Sequence, residues 1–213
     1  MKNIGFFVTF EGGEGSGKST QAKILYDRLV RNNFDVILTR EPGGSIIAEL
    51  IREILVKGDV SKLEPISELF LFAAARYDHL NKTVNPALED NKIVICDRFI
   101  DSTSAYQGYG GNINQARIDE INNISIGNSY PNLTFICDVE TDIGLKRSLR
   151  ETNNETRFEK KTLDYHNKIR DGYLEIALNN KTRCSVIDGS KNIDQVSEEI
   201  YKIFIDKIEN YNA

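Results

Sequence analysis

Apolar residues gather into five short runs, each too brief for a helix and each ending in polar or glycine-bearing residues. The runs are Ile4 to Phe10, Asp35 to Thr39 (DVILT), Lys92 to Cys96 (KIVIC), Leu133 to Val139 (LTFICDV) and Cys184 to Ile187. Between them the apolar positions recur every three or four residues, the period of a helix with one face buried. One helix begins near Lys18 and carries Ile24, Leu25 and Leu29. A second runs from about Ser45 through Ile47, Leu50, Ile51, Ile54 and Leu55 and is closed by Gly58. A third starts near Pro65 and passes Leu69, Phe70, Phe72, Ala73 and Ala75, with Asn85-Pro86 as a kink or a new start. Further helices are expected over Asn114 to Ile126, from a Thr141 cap through Leu145 and Leu149, and from about Phe158 to Leu178. The last, Ile193 to Ile208, carries Val196, Ile200, Ile203, Phe204 and Ile208 on one stripe. Near-continuous apolar strands alternating with helices predict an α/β fold: a five-stranded parallel sheet with helices on both faces.

The 213 residues, 40% hydrophobic and 28% charged, suit one domain over 1–213 with a substantial core. A net charge of -5 leaves no overall attraction for nucleic acid, although local basic residues can still hold a small anion. No run approaches the ~18 apolar residues that cross a membrane. Cys96, Cys137 and Cys184 each lie in an apolar run, at no metal-ligand or disulfide spacing, which suggests a reducing, cytoplasmic setting. His79 and His166 likewise lack metal-ligand spacing and read as surface or helix-packing residues.

Directly after the first strand, Gly12, Gly13, Glu14, Gly15, Ser16, Gly17, Lys18, Ser19 and Thr20 fit G-x-x-x-x-G-K-[ST]. The chain must turn sharply from strand to helix while its N–H groups face phosphate oxygens. Glycine permits this because it accepts positive φ and presents no Cβ to the anion. The helix that follows directs its positive end at the same place. Lys18 is placed to reach the outer phosphates and Ser19 to hold magnesium. The strand-loop-helix context sets this apart from an ordinary glycine turn and makes the fold a three-layer sandwich of P-loop NTPase type.

Other chemistry-bearing residues fall at the carboxyl ends of strands, the edge where ligands gather in such sheets. Arg40-Glu41-Pro42-Gly43-Gly44 ends the second strand and Asp97-Arg98 the third. Arg98 suits a bidentate grip on a second phosphate and Asp97 a magnesium ion or its water shell, beyond the plainer reading of a strand-end ion pair. The segment Asp101 to Gly111 (DSTSAYQGYGG), poor in aliphatics, reads as binding surface outside the core. Lys146, Arg147, Arg150 and Arg157 surround an aperiodic stretch, Glu151 to Glu155. Lys146 reads as solvated, whereas the arginines are candidates for a mobile lid, about 147–158, that closes over transferring phosphate.

Taken together, FEGGEGSGKSTQ, TREPGG, LFLFAAARYDHL, CDRFIDSTSAYQG and PNLTFICDV, in order through most of the chain, resemble bacterial thymidylate kinases, a nucleoside monophosphate kinase family. The resemblance implies transfer of the γ-phosphoryl of Mg-ATP to dTMP in dTTP synthesis, by a cytoplasmic homodimer. It implies that Lys18 and Arg98 are catalytic, with Arg98 on the acceptor phosphate, and that Ser19 and Asp97 lie at the metal. Arg40 and Glu41 would shape the acceptor side, Phe72 stack on thymine and Arg76 bond its edge. Thr103, Tyr106 and Gln107 would contact the acceptor, and Glu14 lie near its 3′-hydroxyl. The phosphate loop carries no arginine, which matches the branch that supplies one from the lid, with Arg150 and Arg157 as candidates. The chain departs from the family in lacking an arginine near Gly111 and in its short Ser104. Val186 to Ser190 resembles an adenine-contacting loop and reads equally as a plain turn. Two rivals are a kinase for a deoxynucleoside or another monophosphate, and a P-loop regulatory GTPase. The latter calls for Asn-Lys-x-Asp and Asp-x-x-Gly motifs, absent from their expected places.

Overall fold

The computed structural model describes residues 5–57, 59, 63–149, 157–158 and 161–211. Five strands, β1 (Phe6–Glu11), β2 (Val36–Arg40), β3 (Ile93–Asp97), β4 (Leu133–Asp138) and β5 (Cys184–Asp188), form one parallel sheet in the order β2-β3-β1-β4-β5. β1 lies at the centre and is buried along its whole length, as a strand covered on both faces must be.

The helices are α1 (Lys18–Arg31), α2 (Ile46–Val56), α3 (Pro65–His79), α4 (Asn85–Glu89), α5 (Ile100–Thr103), α6 (Gln115–Ile126), α7 (Thr141–Ser148), α8 (Leu163–Asn179) and α9 (Ile193–Tyr211). Side chains of β1 alternate between faces. Phe6, Val8 and Phe10 pack with Leu25 and Leu29 of α1 and Ile200 and Phe204 of α9. Phe7 points the other way, against Leu80, Val84 and Phe99, and beyond it Ile136 meets Ile169 and Tyr173 of α8. Thr9 also faces this second layer, where its Oγ1 bonds that of Thr134 at 2.7 Å. Truncating Phe204, fully enclosed, would cost about 3–5 kcal/mol.

Most elements match the sequence expectation to within a few residues. Asn85-Pro86 does not break the chain's course: α3 continues through a π-helical turn, Leu80–Val84, into α4, where proline near the helix start needs no donor. Gly58, expected to close α2, lies outside the described residues. Two local expectations are corrected. Thr141 is the first helical residue and not the cap, a position held by Glu140, and α8 starts at Leu163 behind a Thr162 cap, not at Phe158. A third correction bears on function. Residues 101–110 are helical, α5 leading into a π-helical turn over Ser104–Gly110, and Asp101, Thr103, Ala105, Tyr106 and Gln107 are buried. Their polar groups enter the interior because each is paired there.

Parallel pairing places Asp97 beside Phe10 on one side and Arg40 on the other, and Asp138 beside Asp188. The strand ends therefore converge on the phosphate loop. No helix among the described residues is long and apolar enough to cross a membrane.

Candidate active site

The loop between β1 and α1 turns on glycines with positive φ, including Gly12 at 140° and Gly15 at 62°. A Cβ on Gly15 would come within 2.0 Å of the Gly144 carbonyl oxygen, so only glycine fits. Gly17, with φ 88°, begins α1 without a side-chain cap, and the first turn carries no acidic residue. Its positive end is left for an external anion. Lys18 is buried, its Nζ 3.1 Å from the Gly13 carbonyl oxygen; burial and nearby Arg98 lower its pKa against the pull of Glu14. Ser19 and Thr20 are exposed and line the cavity beside it.

Arg98 follows β3 with φ 70°, a left-handed conformation uncommon outside glycine. Its N–H donates to the Phe10 carbonyl at 2.8 Å, and Nη1 to the Gly12 carbonyl at 3.1 Å. Nη2 lies 3.2 and 3.3 Å from the two carboxylate oxygens of Glu14, and the guanidinium sits 4.9 Å from the Tyr106 ring centre. Burial opposes the charge, but Tyr106, Glu14, Tyr173 and Asp97 together raise the Arg98 pKa well above its usual value. Glu14 is the mirror case: burial would raise it, yet Arg98, Lys18 and the Tyr106 hydroxyl, 2.7 Å away, bring it down to about 2.

Beneath Arg98 lies a carboxylate to which the sequence assigned no role. Glu11, fully buried at the end of β1, accepts from Phe99 N at 2.7 Å, Ser102 Oγ at 2.5 Å and Tyr173 Oη at 3.2 Å. Burial and nearby Asp101 push its pKa up to about 7, against the stabilising Ser102, Arg98 and Phe99 N–H. Its signal was present: residue alternation turns Glu11 to the same face as Thr9, below the turn that carries Arg98.

A cavity of about 220 Å³ opens from the phosphate loop past Arg98 to Arg40, Glu41, Phe72, Arg76, Asp97, Thr103, Tyr106 and Gln107. The acceptor residues expected from sequence are thus brought together. Arg76 is buried against Glu41 at 2.8 Å, Asn122 at 3.1 Å, the Phe99 carbonyl at 3.2 Å and Thr103 at 2.8 Å. Of five guanidinium N–H groups this leaves one for a ligand. Glu41 also meets His79 Nδ1 at 3.0 Å, while His79 Nε2 meets Thr39 Oγ1 at 2.7 Å, so His79 is a buried packing residue and not a surface one. His166 is buried as well. Arg40 is exposed, and its Nη2 donates to both carboxylate oxygens of Glu49, at 3.1 and 3.0 Å. Gln107 is buried and donates to Glu68 at 2.7 Å. Arg52, Ser148 and Phe158 also line the cavity: Ser148 and Phe158 fall within the expected lid, about 147–158, and Arg52 was given no role.

The lid arginines fare differently. Arg150 lies outside the described residues, as does most of 147–158. Arg147 donates to the Gly189 carbonyl at 2.9 Å, which draws the Val186–Ser190 segment toward the phosphate loop. Arg157 is not brought to that loop: it is 2% exposed and bonded to Leu55 O, Asp59 O and Glu68 on the acceptor side.

Asp97 Oδ1 is buried without a hydrogen-bond partner among the described residues and lines the same cavity as exposed Ser19. A hard cation with phosphate oxygens suits that oxygen pair. No cluster of three or more His, Cys, Asp or Glu among the described residues could hold a metal by itself, so the donor set fits an ion that arrives with a nucleotide.

Arg98 belongs to both halves of this site, tied to the phosphate loop through Gly12 and Glu14 while it faces the acceptor cavity. A P-loop fold whose second anion grip opens on an aromatic cavity defines a nucleotide-dependent kinase with a small acceptor. The family profile described as "Thymidylate kinase" matches residues 10–200. The thymidylate kinase of Caulobacter vibrioides is 45% identical over 204 residues, covering 96% of this chain and 98% of that protein. That of Geotalea daltonii is 44% identical over 198 residues, covering 90% and 92%. A solved thymidylate kinase from Ehrlichia chaffeensis superposes with a TM-score of 0.76 at 39% identity, over 94% of this chain and 99% of that one. The chain belongs to the thymidylate kinase family.

Proposed function

We propose that this protein transfers the γ-phosphoryl group of ATP to dTMP, giving dTDP and ADP, as a single-domain cytoplasmic enzyme of dTTP synthesis. The observation that carries this reading is the placement of Arg98 between the phosphate loop and the acceptor cavity. The acceptor phosphate is already an anion at neutral pH, so no strong base is needed. The barrier falls through positioning and charge neutralisation. The loop N–H groups and Lys18 hold the donor phosphates. Arg98 orients the acceptor phosphate and cancels its repulsion with the donor. Glu14, kept ionised by Arg98 and Lys18, stays an acceptor for a sugar hydroxyl. Phe72 supplies a flat apolar face for a base, and the free N–H of Arg76 a donor at its edge. Mg²⁺ bound with ATP would be held by Ser19 and Asp97 and would neutralise developing phosphate charge. Arg150 is the arginine assigned to the transferring group from the lid, about 147–158.

Buried, unpaired Cys96, Cys137 and Cys184 support a reducing compartment. A homodimer is supported by apolar residues left exposed on two helices that pack together: Ile46, Ile47, Leu50 and Ile54 of α2 and Ile66, Phe70 and Tyr77 of α3, with Ile46 84% exposed. Sedimentation should give twice the chain mass, and Leu50→Glu should halve it; an unchanged monomer would remove the dimer from this reading. Acceptor competition tests the reaction itself. dTMP should be phosphorylated in preference to thymidine, and the reverse order would replace this reading with a nucleoside kinase.

A further inference from the structure

We infer that Phe158 is a wall of the acceptor cavity and that Arg157 acts by positioning it through Glu68, not by meeting the transferring phosphoryl group. The Phe158 ring lines the cavity beside Phe72, with centroids 6.3 Å apart and planes tilted by 47°, and stands edge-on to Tyr106 at 5.6 Å and 89°. With Phe72 and Tyr106 it forms an apolar corner of the pocket, against which a flat base on Phe72 would be bounded at its edge.

What holds Phe158 there is its neighbour. The Arg157 guanidinium is 2% exposed and reaches Leu55 O at 3.0 Å, Asp59 O at 3.2 Å and Glu68 Oε2 at 2.5 Å, all on the α2 and α3 side. None of these partners belongs to the phosphate loop. The other oxygen of Glu68 accepts from Gln107 Nε2 at 2.7 Å, and Gln107 itself lines the cavity. One buried carboxylate therefore ties together two pieces of the pocket: the turn of Tyr106 and Gln107, and residues 157–158. An arginine that neutralised transferring phosphate would need its fork free for that anion. Here it is spent on a buried carboxylate and two carbonyls, a charge-assisted set that specifies position.

The inference rests on the dTMP kinase reading and is tested by steady-state kinetics with Mg-ATP and dTMP on the full chain. Phe158→Ala and Arg157→Ala should each raise the KM for dTMP about tenfold or more, with the KM for ATP and kcat at saturating dTMP within about threefold of the parent. Arg157→Lys should recover part of the loss. The double variant should lose clearly less than the product of the two single losses, because the arginine acts largely through the ring. Removing Arg157 leaves Glu68 buried and unpaired, which endangers folding. Phe158→Ala and Phe158→Leu leave that ion pair intact and carry the test if Arg157→Ala does not fold. A drop of about 100-fold in kcat for Arg157→Ala with dTMP KM unchanged would overturn the inference, as would Phe158→Ala with parental KM for dTMP. A parent enzyme that phosphorylates no monophosphate would instead overturn the underlying kinase reading.

Discussion

Arg98 Nη2 lies 3.2 and 3.3 Å from the two carboxylate oxygens of Glu14, so the arginine that faces the acceptor cavity is tethered to the phosphate loop itself. The pair is two-thirds or more hidden from water and each partner shifts the other toward its charged form. Loss of Arg98 therefore removes a phosphate grip and leaves Glu14 repelling the incoming anion. Arg98→Ala is expected to lower kcat/KM for dTMP by about 10²–10³. Arg98→Lys should recover little, since a point charge cannot reproduce the fork. Parental kinetics for either variant would contradict the account.

The left-handed backbone at Arg98 makes a second prediction, on stability. Arg98→Gly and Arg98→Ala remove the same guanidinium, but only glycine adopts φ 70° without strain. The glycine variant should be the more stable by about 1 kcal/mol in denaturant melts while both lose activity to the same extent. Equal stabilities would mean that the backbone here is not held left-handed in solution.

Glu11 gives a pH dependence with a definite sign. Its carboxyl is raised from an ordinary 4.5 to about 7, so between those values the folded chain binds more protons than the unfolded one. Its contribution is favourable below pH 4.5 and fades as pH rises through 7. Glu14, lowered to about 2, contributes oppositely: its stabilisation is complete above 4.5 and is lost as pH falls toward 2. Of the two, only Glu11 acts between pH 5 and 8. Stability of the parent should decline over that range relative to Glu11→Gln, and parallel curves would refute the buried, raised carboxyl.

The same edge shows what sequence can and cannot carry. Glycine spacing around Lys18 announces a phosphate loop because the constraint is local, and parallel strands bring Arg40, Asp97 and Arg98 to it because topology is periodic. Glu11 was given no role because it reads as the polar end of an apolar run, and it is buried by partners 88, 91 and 162 residues away, at Phe99, Ser102 and Tyr173. Residues 101–110 looked too polar for the interior for a related reason. Each polar group is admitted by one distant partner, as Asp101 is by Arg183 at 2.7 Å and Gln107 by Glu68. Composition records polarity but not pairing. Arg157 was grouped with Arg150 by its charge, its place beside an aperiodic stretch and the family resemblance, whereas its burial against Glu68 is a tertiary fact.

The three thiols should be inert. Burial pushes Cys137 and Cys184 up to about 12 and Cys96 well above its ordinary value, so little thiolate exists near neutrality. A disulfide reagent at pH 8 is expected to modify none of the three within minutes on the native chain, and all of them after denaturation. Fast labelling of the native form would show that a strand end opens.

The central claim is that one arginine joins a donor loop to a dTMP cavity, and the most direct measurement is coupled ADP release with Mg-ATP against dTMP, dUMP, dCMP, dGMP and thymidine. The account predicts strong preference for dTMP, with Lys18→Ala reducing that turnover to background while the fold persists. ADP release that no acceptor raises above ATP hydrolysis, or a Lys18→Ala protein of near-parental activity, would contradict it.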